Sequence, residues 1–151
     1  MEKKRILIVD DDKVLLKSFK EIFETEGYTV DTAETGREAI EKSNANFYNL
    51  AFLDIRLPDM EGTELLTRMK ETRPKMVKIM VTGYPSQENA IEAVNRGAHG
   101  YVVKPIVNID DLIAKVKEHL KKQEEEEIYS EEKVTQFIET RARKLEDKPT
   151  I

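Results

Sequence analysis

The stretch Asn49-Leu-Ala-Phe-Leu-Asp54, continued by Ile55-Arg56-Leu57-Pro58-Asp59-Met60-Glu61-Gly62, decides how this chain is read. A short apolar run ends on one carboxylate. A loop punctuated by Pro58 and Gly62 follows. A buried strand that delivers an acid to a loop is how open α/β sheets place a reactive group. Everything else in the chain is weighed by whether it builds a site around Asp54.

Outward from this stretch, the same unit recurs. Ile6-Leu-Ile-Val9 is a second continuous apolar run, ending in Asp10-Asp11-Asp12. Leu15, Phe19, Ile22 and Phe23 then repeat at helical spacing, and Gly27 supplies the stop. Tyr28-Thr-Val30 reads as the second strand, and Thr35 caps a short helix carrying Ala39 and Ile40. After the third strand, Leu50 to Leu53, a helix with Leu65, Leu66 and Met69 precedes Pro74. Val77-Lys-Ile-Met-Val-Thr82 is the fourth strand. Ser86 caps the next helix, which stops at Gly97. Tyr101-Val-Val103 is the fifth strand, and Asn108 with Asp111 suits a capping box for a helix bearing Leu112, Ile113, Val116 and Leu120. Strand and helix alternate five times, which predicts an α/β fold with a doubly wound parallel sheet.

Composition removes several classes of function. The chain has 151 residues, 39% hydrophobic and 36% charged, enough for one domain with a full core. There is no Cys, so thiol catalysis, disulfides and thiolate zinc sites are out. His99 and His119 stand apart in the sequence and make a histidine metal cage a poor reading. A net charge of -5 argues against direct nucleic-acid binding. No apolar run approaches the roughly 18 residues of a membrane span. The amino terminus runs into the first strand without a signal-type apolar region, so a cytoplasmic location is expected.

In doubly wound sheets, ligands sit at the carboxyl ends of the strands, where the winding reverses. The residues there are Asp10 and Asp11, Asp54, Thr82 and Lys104. No Gly-rich turn follows the first strand, where a nucleotide fold would wrap phosphate. Converging carboxylates make a hard-oxygen site suited to Mg²⁺. A metal there would stabilise charge on a phosphoryl group, and one carboxylate can be the nucleophile. Thr82 offers a hydroxyl and Lys104 a point charge to phosphoryl oxygens. Each residue alone has a plain alternative. Asp12 suits a helix cap, Asp54 a loop-entry acid, Thr82 a strand residue, Lys104 a surface lysine and Tyr101 half-buried packing. The set, one group at each of several strand ends, favours a working site.

The chain resembles the receiver domain of two-component response regulators. The residues that carry the likeness are Ile6-Leu-Ile-Val-Asp-Asp11, Leu53-Asp54-Ile-Arg-Leu-Pro-Asp-Met-Glu-Gly62, Val81-Thr-Gly83 and Gly97-Ala-His-Gly-Tyr-Val-Val-Lys-Pro105, across about residues 4 to 122. The resemblance implies a five-stranded sheet in order 2-1-3-4-5, flavodoxin-like. It implies that Asp54 accepts a phosphoryl group from a phosphohistidine on a sensor histidine kinase or phosphotransfer protein. Asp11 and Asp54 would ligate Mg²⁺ directly, Asp10 through water, and the main-chain carbonyl of Arg56 would be a further ligand. Lys104 would contact the phosphoryl group, with the bond to Pro105 cis. Thr82 and Tyr101 would form the switch. The chain departs from many relatives at Ile106, where Phe is common. Arg56 and Tyr84 flank the path of an attacking water in this family. The segment Ala98-His-Gly100 lacks the paired acids of one large transcription-factor subfamily.

The receiver is assigned to residues 1–122 and a helical tail or linker, acidic at its start, to residues 123–151. Glu124 to Glu127 reads as a solvated helix face or a linker. Ser130 suits the cap of a separate helix, with Val134, Ile138 and Leu145 as a sparse stripe beside Phe137 and Ala142. That stripe needs a cover: the receiver, a partner, or a homodimer through the tail. The face of the fourth helix, fifth strand and fifth helix is a second route to a homodimer. Three functions are weighed. The first is a phosphorylation-dependent switch, standing alone or cut from a larger response regulator such as a transcription factor. The second is a phosphohydrolase with an aspartyl nucleophile. It would need a second Asp two residues after Asp54, where Arg56 stands. The third is an interaction module that works without phosphorylation.

Overall fold

The computed structural model describes residues 2–146. The order is β1 (Arg5–Val9), α1 (Lys13–Thr25), β2 (Thr29–Ala33), α2 (Gly36–Ala45), β3 (Leu50–Leu53), α3 (Gly62–Arg68), β4 (Val77–Thr82), α4 (Gln87–Asn95), β5 (Gly100–Val103) and α5 (Ile109–Glu146). All pairings are parallel, and the strand order is β2-β1-β3-β4-β5. The expected winding is borne out.

Alternation of side chains splits the core into two layers. Ile6, Ile8, Leu50, Phe52, Ile79 and Val81 face one side, where they meet Phe19 and Phe23 of α1 and Val116 and Leu120 of α5. Leu7, Val9, Ala51, Leu53 and Met80 face the other, where they meet Ala39, Leu65, Leu66 and Ala93 of α2, α3 and α4. Helix starts fall where small polar side chains predict them. Asp12 accepts from the main chain of Val14 and Leu15, Thr35 from Glu38, and Ser86 from Asn89. Gly27 and Gly97 end α1 and α4 at φ of 99° and 100°, a region costly for other residues.

Two local expectations are corrected. The second strand starts at Thr29 and reaches Ala33, because its whole length pairs with β1. No separate helix starts at Ser130. α5 runs unbroken through it for 38 residues, about 57 Å at the usual rise of about 1.5 Å per residue. The segment has neither Gly nor Pro and is rich in Glu and Lys, so nothing stops the helix. Gln123 is buried. Its amide donates to the carbonyls of Asn49 (2.9 Å) and Lys75 (2.8 Å) and accepts from the Asn49 side chain (3.2 Å). The packed body therefore reaches at least Gln123. Beyond it the helix stands clear, with Ile128, Tyr129, Val134, Phe137 and Ile138 all exposed. The side chain of Leu145 and residues 147–151 lie outside the described residues.

Candidate functional site

The winding reverses between β1 and β3, and the register there pairs Val9 with Leu53. The next residue on each strand, Asp10 and Asp54, therefore emerges side by side. The Asp54 amide donates to the Val9 carbonyl at 3.0 Å and the Asp10 amide to that of Ala33 at 3.0 Å, so both acids are fixed through the main chain. Asp10 and Asp54 are buried, and Asp11 is exposed at the rim. Ligand oxygens of the three lie within 4.8 Å of one another, which makes them the one metal-competent His or carboxylate group among the described residues.

Lys104 reaches into this cluster from the end of β5. Its ammonium lies 2.6 Å from Asp10 Oδ2 and 3.3 Å from Asp54 Oδ2. Burial pushes the Asp10 carboxyl above the usual carboxylate range, and the nearby charge of Asp54 adds to it. The bonds from Lys104 and the Asp12 amide pull the other way without cancelling it. Burial also pulls on the Lys104 ammonium, but the bond and charge of Asp10, with the charge of Asp54, outweigh it and hold the ammonium above its ordinary value. One cation facing three carboxylates leaves an excess of negative charge in a confined space. A hard divalent cation with oxygen ligands fits that donor set.

The loop after Asp54 is folded tightly. Gly62 donates to the Ile55 carbonyl at 2.6 Å, and a Cβ at Gly62 would lie 1.9 Å from the Asp54 carbonyl oxygen. Only glycine permits that approach. Asp59 in the same loop accepts from the amides of Gly36 and Arg37, both at 2.9 Å, which ties the loop to the start of α2. The Arg56 amide lies 3.4 Å from Asp54 Oδ1. The Arg56 guanidinium stacks over the Tyr84 ring, 4.2 Å from its centroid. The two positions that the resemblance sets on the path of an attacking water thus stack on each other beside Asp54.

Thr82 is buried at the end of β4, and its carbonyl accepts the Lys104 amide at 2.8 Å. Its hydroxyl accepts the Tyr84 amide at 3.0 Å. Tyr101 is half-buried on β5, and its hydroxyl donates to Asn89 Oδ1 at 2.6 Å. The Lys104–Pro105 bond is cis, as is Arg73–Pro74. The sequence reading missed Asp59 and Gln123, whose partners lie far along the chain, and Asn89, which joins Tyr84 to Tyr101. It also treated His99 and His119 as isolated, whereas both line the same cavity between β5 and α5.

With this geometry in place, comparison with known proteins defines the class. The model of the response regulator receiver domain family matches residues 6–117, and the chain belongs to that family of signalling proteins. It is similar to a receiver domain protein (CheY-like) from Methanospirillum hungatei JF-1, with 54% identity, a TM-score of 0.79, and coverage of 83% of this chain and 99% of that one. It is similar to the response regulator protein TrrA from Thermotoga maritima, whose structure was solved in complex with Mg²⁺ and beryllofluoride. There the identity is 38%, the TM-score 0.67, and coverage 77% of this chain and 98% of that one. Among curated sequences it is 37% identical over 101 residues to the alginate biosynthesis transcriptional regulatory protein AlgB of Pseudomonas syringae pv. tomato. That match covers 67% of this chain but 22% of the regulator's length.

Proposed function

We propose that this chain is a phosphorylation-controlled switch that accepts a phosphoryl group on Asp54 from a sensor histidine kinase or phosphotransfer protein. The observation that carries the reading is the Lys104 ammonium bridging Asp10 and Asp54 inside a three-carboxylate cluster. A carboxylate oxygen of Asp54 forms the bond to phosphorus. The phosphorus–nitrogen bond of the donor phosphohistidine breaks, and the imidazole leaves with that electron pair and takes up a proton. Lys104 pairs with a phosphoryl oxygen, and the Thr82 hydroxyl donates to another. Asp11, Asp54 and the main-chain carbonyl of Arg56 would hold Mg²⁺, with Asp10 acting through water. When bound, the metal neutralises carboxylate charge and stabilises charge on the phosphoryl oxygens. The only chemistry is transfer to, and loss from, the protein's own aspartate. Arg56 stands where an aspartyl phosphohydrolase needs its acid, so a screen of phosphate esters should show no turnover. On this reading the protein works in the cytoplasm beside its kinase.

The consequence of phosphorylation would be a change of partner or of self-association. The apolar residues exposed along the end of α5 make a homodimer through the tail the first case to test, with the α4–β5–α5 face second. Sedimentation with and without beryllofluoride and Mg²⁺ should show a mass change that deletion of residues 127–151 removes. An unchanged monomer in every condition would leave a separate downstream protein as the target. The coverage of the curated regulators supports a second reading, in which this receiver is one part of a longer transcription factor whose output lies elsewhere.

A further inference from the structure

Between Thr82 and Tyr101 the structure holds a run of hydrogen bonds that passes through the backbone of Tyr84 and the side chain of Asn89. The Tyr84 amide donates to the Thr82 hydroxyl at 3.0 Å. The Tyr84 carbonyl accepts from Asn89 Nδ2 at 3.0 Å. Asn89 Oδ1 accepts from the Tyr101 hydroxyl at 2.6 Å and from the Ser86 amide at 3.1 Å. The Asn89 amide closes the start of α4 by donating to Ser86 Oγ at 3.1 Å. The cap of α4 requires only the two bonds with Ser86, and an aspartate at this position would make both. The bonds to Tyr84 and Tyr101 go beyond capping. They need a side chain that donates at one end and accepts at the other, which the carboxamide of Asn supplies and a carboxylate does not.

We propose that Asn89 is a positioning residue that couples the Thr82 hydroxyl to the Tyr101 ring. The biological purpose of this coupling rests on the reading of Asp54 as phosphoryl acceptor. The coupling itself rests on the bonds above. When the Thr82 hydroxyl turns away, the Tyr84 amide loses its acceptor. Tyr84 is exposed, so its freed amide turns to water or to another acceptor, and the Gly83–Tyr84 peptide is no longer held against Thr82. Across the same Cα, the Tyr84 carbonyl is held by Asn89, and Asn89 also holds the Tyr101 hydroxyl. A shift of the Tyr84 backbone therefore reaches Tyr101 through the rigid amide plane of the Asn89 side chain. Asn89 also lines an open cavity with Arg56 and Arg96, so this linkage lies beside the loop that follows Asp54.

The test is a double-mutant cycle read by fluorine NMR on fluorotyrosine-labelled protein. The chain has five tyrosines, and Tyr101→Phe assigns the signal of interest. Thr82→Val removes the acceptor of the Tyr84 amide while keeping the shape of the side chain. It should displace the Tyr101 signal when Asn89 is present. In the Asn89→Asp background, which keeps the α4 cap and loses the donor to Tyr84, the same change should leave the signal where it was. Equal displacement in both backgrounds, or none in either, overturns the proposal. Beryllofluoride with Mg²⁺ should likewise move the Tyr101 signal in the parent protein and not in Asn89→Asp, although Asn89→Asp accepts label on Asp54 at the parent rate. Failure of the parent protein to accept label would overturn the reading of Asp54, and the Thr82→Val cycle would still decide the coupling.

Discussion

Asp10 shows how a site residue can work against the fold. Its carboxyl is raised by burial first, so folding favours its protonated form. For a raised acid, the stabilising contribution is full below the ordinary value of 3.8 and is lost as pH rises through the higher folded value. At neutral pH, without a divalent ion, ionised Asp10 therefore costs stability. Asp10→Asn should raise the melting temperature of the metal-free protein, by about 1 kcal/mol or about 2–4 °C, as measured by calorimetry in a chelator. A drop on that substitution would mean that the tie to Lys104 outweighs the burial cost. The reactive residues were legible in the sequence for a physical reason. An apolar run marks a buried strand, so the first polar group after it marks the rim. Asn89 was not legible in this way. Its neighbours suggested a cap, and its bonds to Tyr84 and Tyr101 exist only once β4, α4 and β5 are packed.

At the level of elements, the loop from Ile55 to Gly62 and the long α5 carry the clearest tests. A methyl group at Gly62 would meet the Asp54 carbonyl at 1.9 Å, a contact with main chain that cannot swing aside. Gly62→Ala should cost about 3 kcal/mol in urea unfolding and displace Asp54. Gln123→Leu fills the same space but strips donors from the carbonyls of Asn49 and Lys75. It should cost about 2–3 kcal/mol, whereas Glu126→Leu, on an exposed stretch, should change stability by less than about 0.5 kcal/mol. Equal effects at the two positions would contradict the view that the packed body ends near Gln123. Caps, glycine stops and strand periods were readable because each is a local rule. The continuity of α5 was misread because Ser130 satisfies the local rule for a cap. A cap forms only where the helix has a reason to stop, and nothing before Ser130 gives it one.

Across the whole molecule, the alternation of strands and helices already implied the doubly wound sheet, since parallel neighbours need crossovers and crossovers are right-handed. What the pattern could not show was how distant segments meet. His99 and His119 are an instance. Burial pushes the His99 imidazole below its ordinary value, with Lys75, His119 and Lys78 adding to it, and its Nδ1 accepts the Lys78 amide at 3.1 Å. A base with a lowered folded value contributes stability that is present above the ordinary value of 6.5 and lost as pH falls through the folded one. His99 is only partly shielded from solvent, so the loss on acidification should stay below about 1 kcal/mol, and His99→Gln should flatten that part of the pH–stability curve.

All of these arrangements converge on one carboxylate at the end of β3. Intact-mass measurement after incubation with acetyl phosphate and Mg²⁺ tests its role most directly. The account predicts one added phosphoryl group, lost in Asp54→Asn and lost when a chelator removes the metal. Labelling of Asp54→Asn at the parent rate would contradict it.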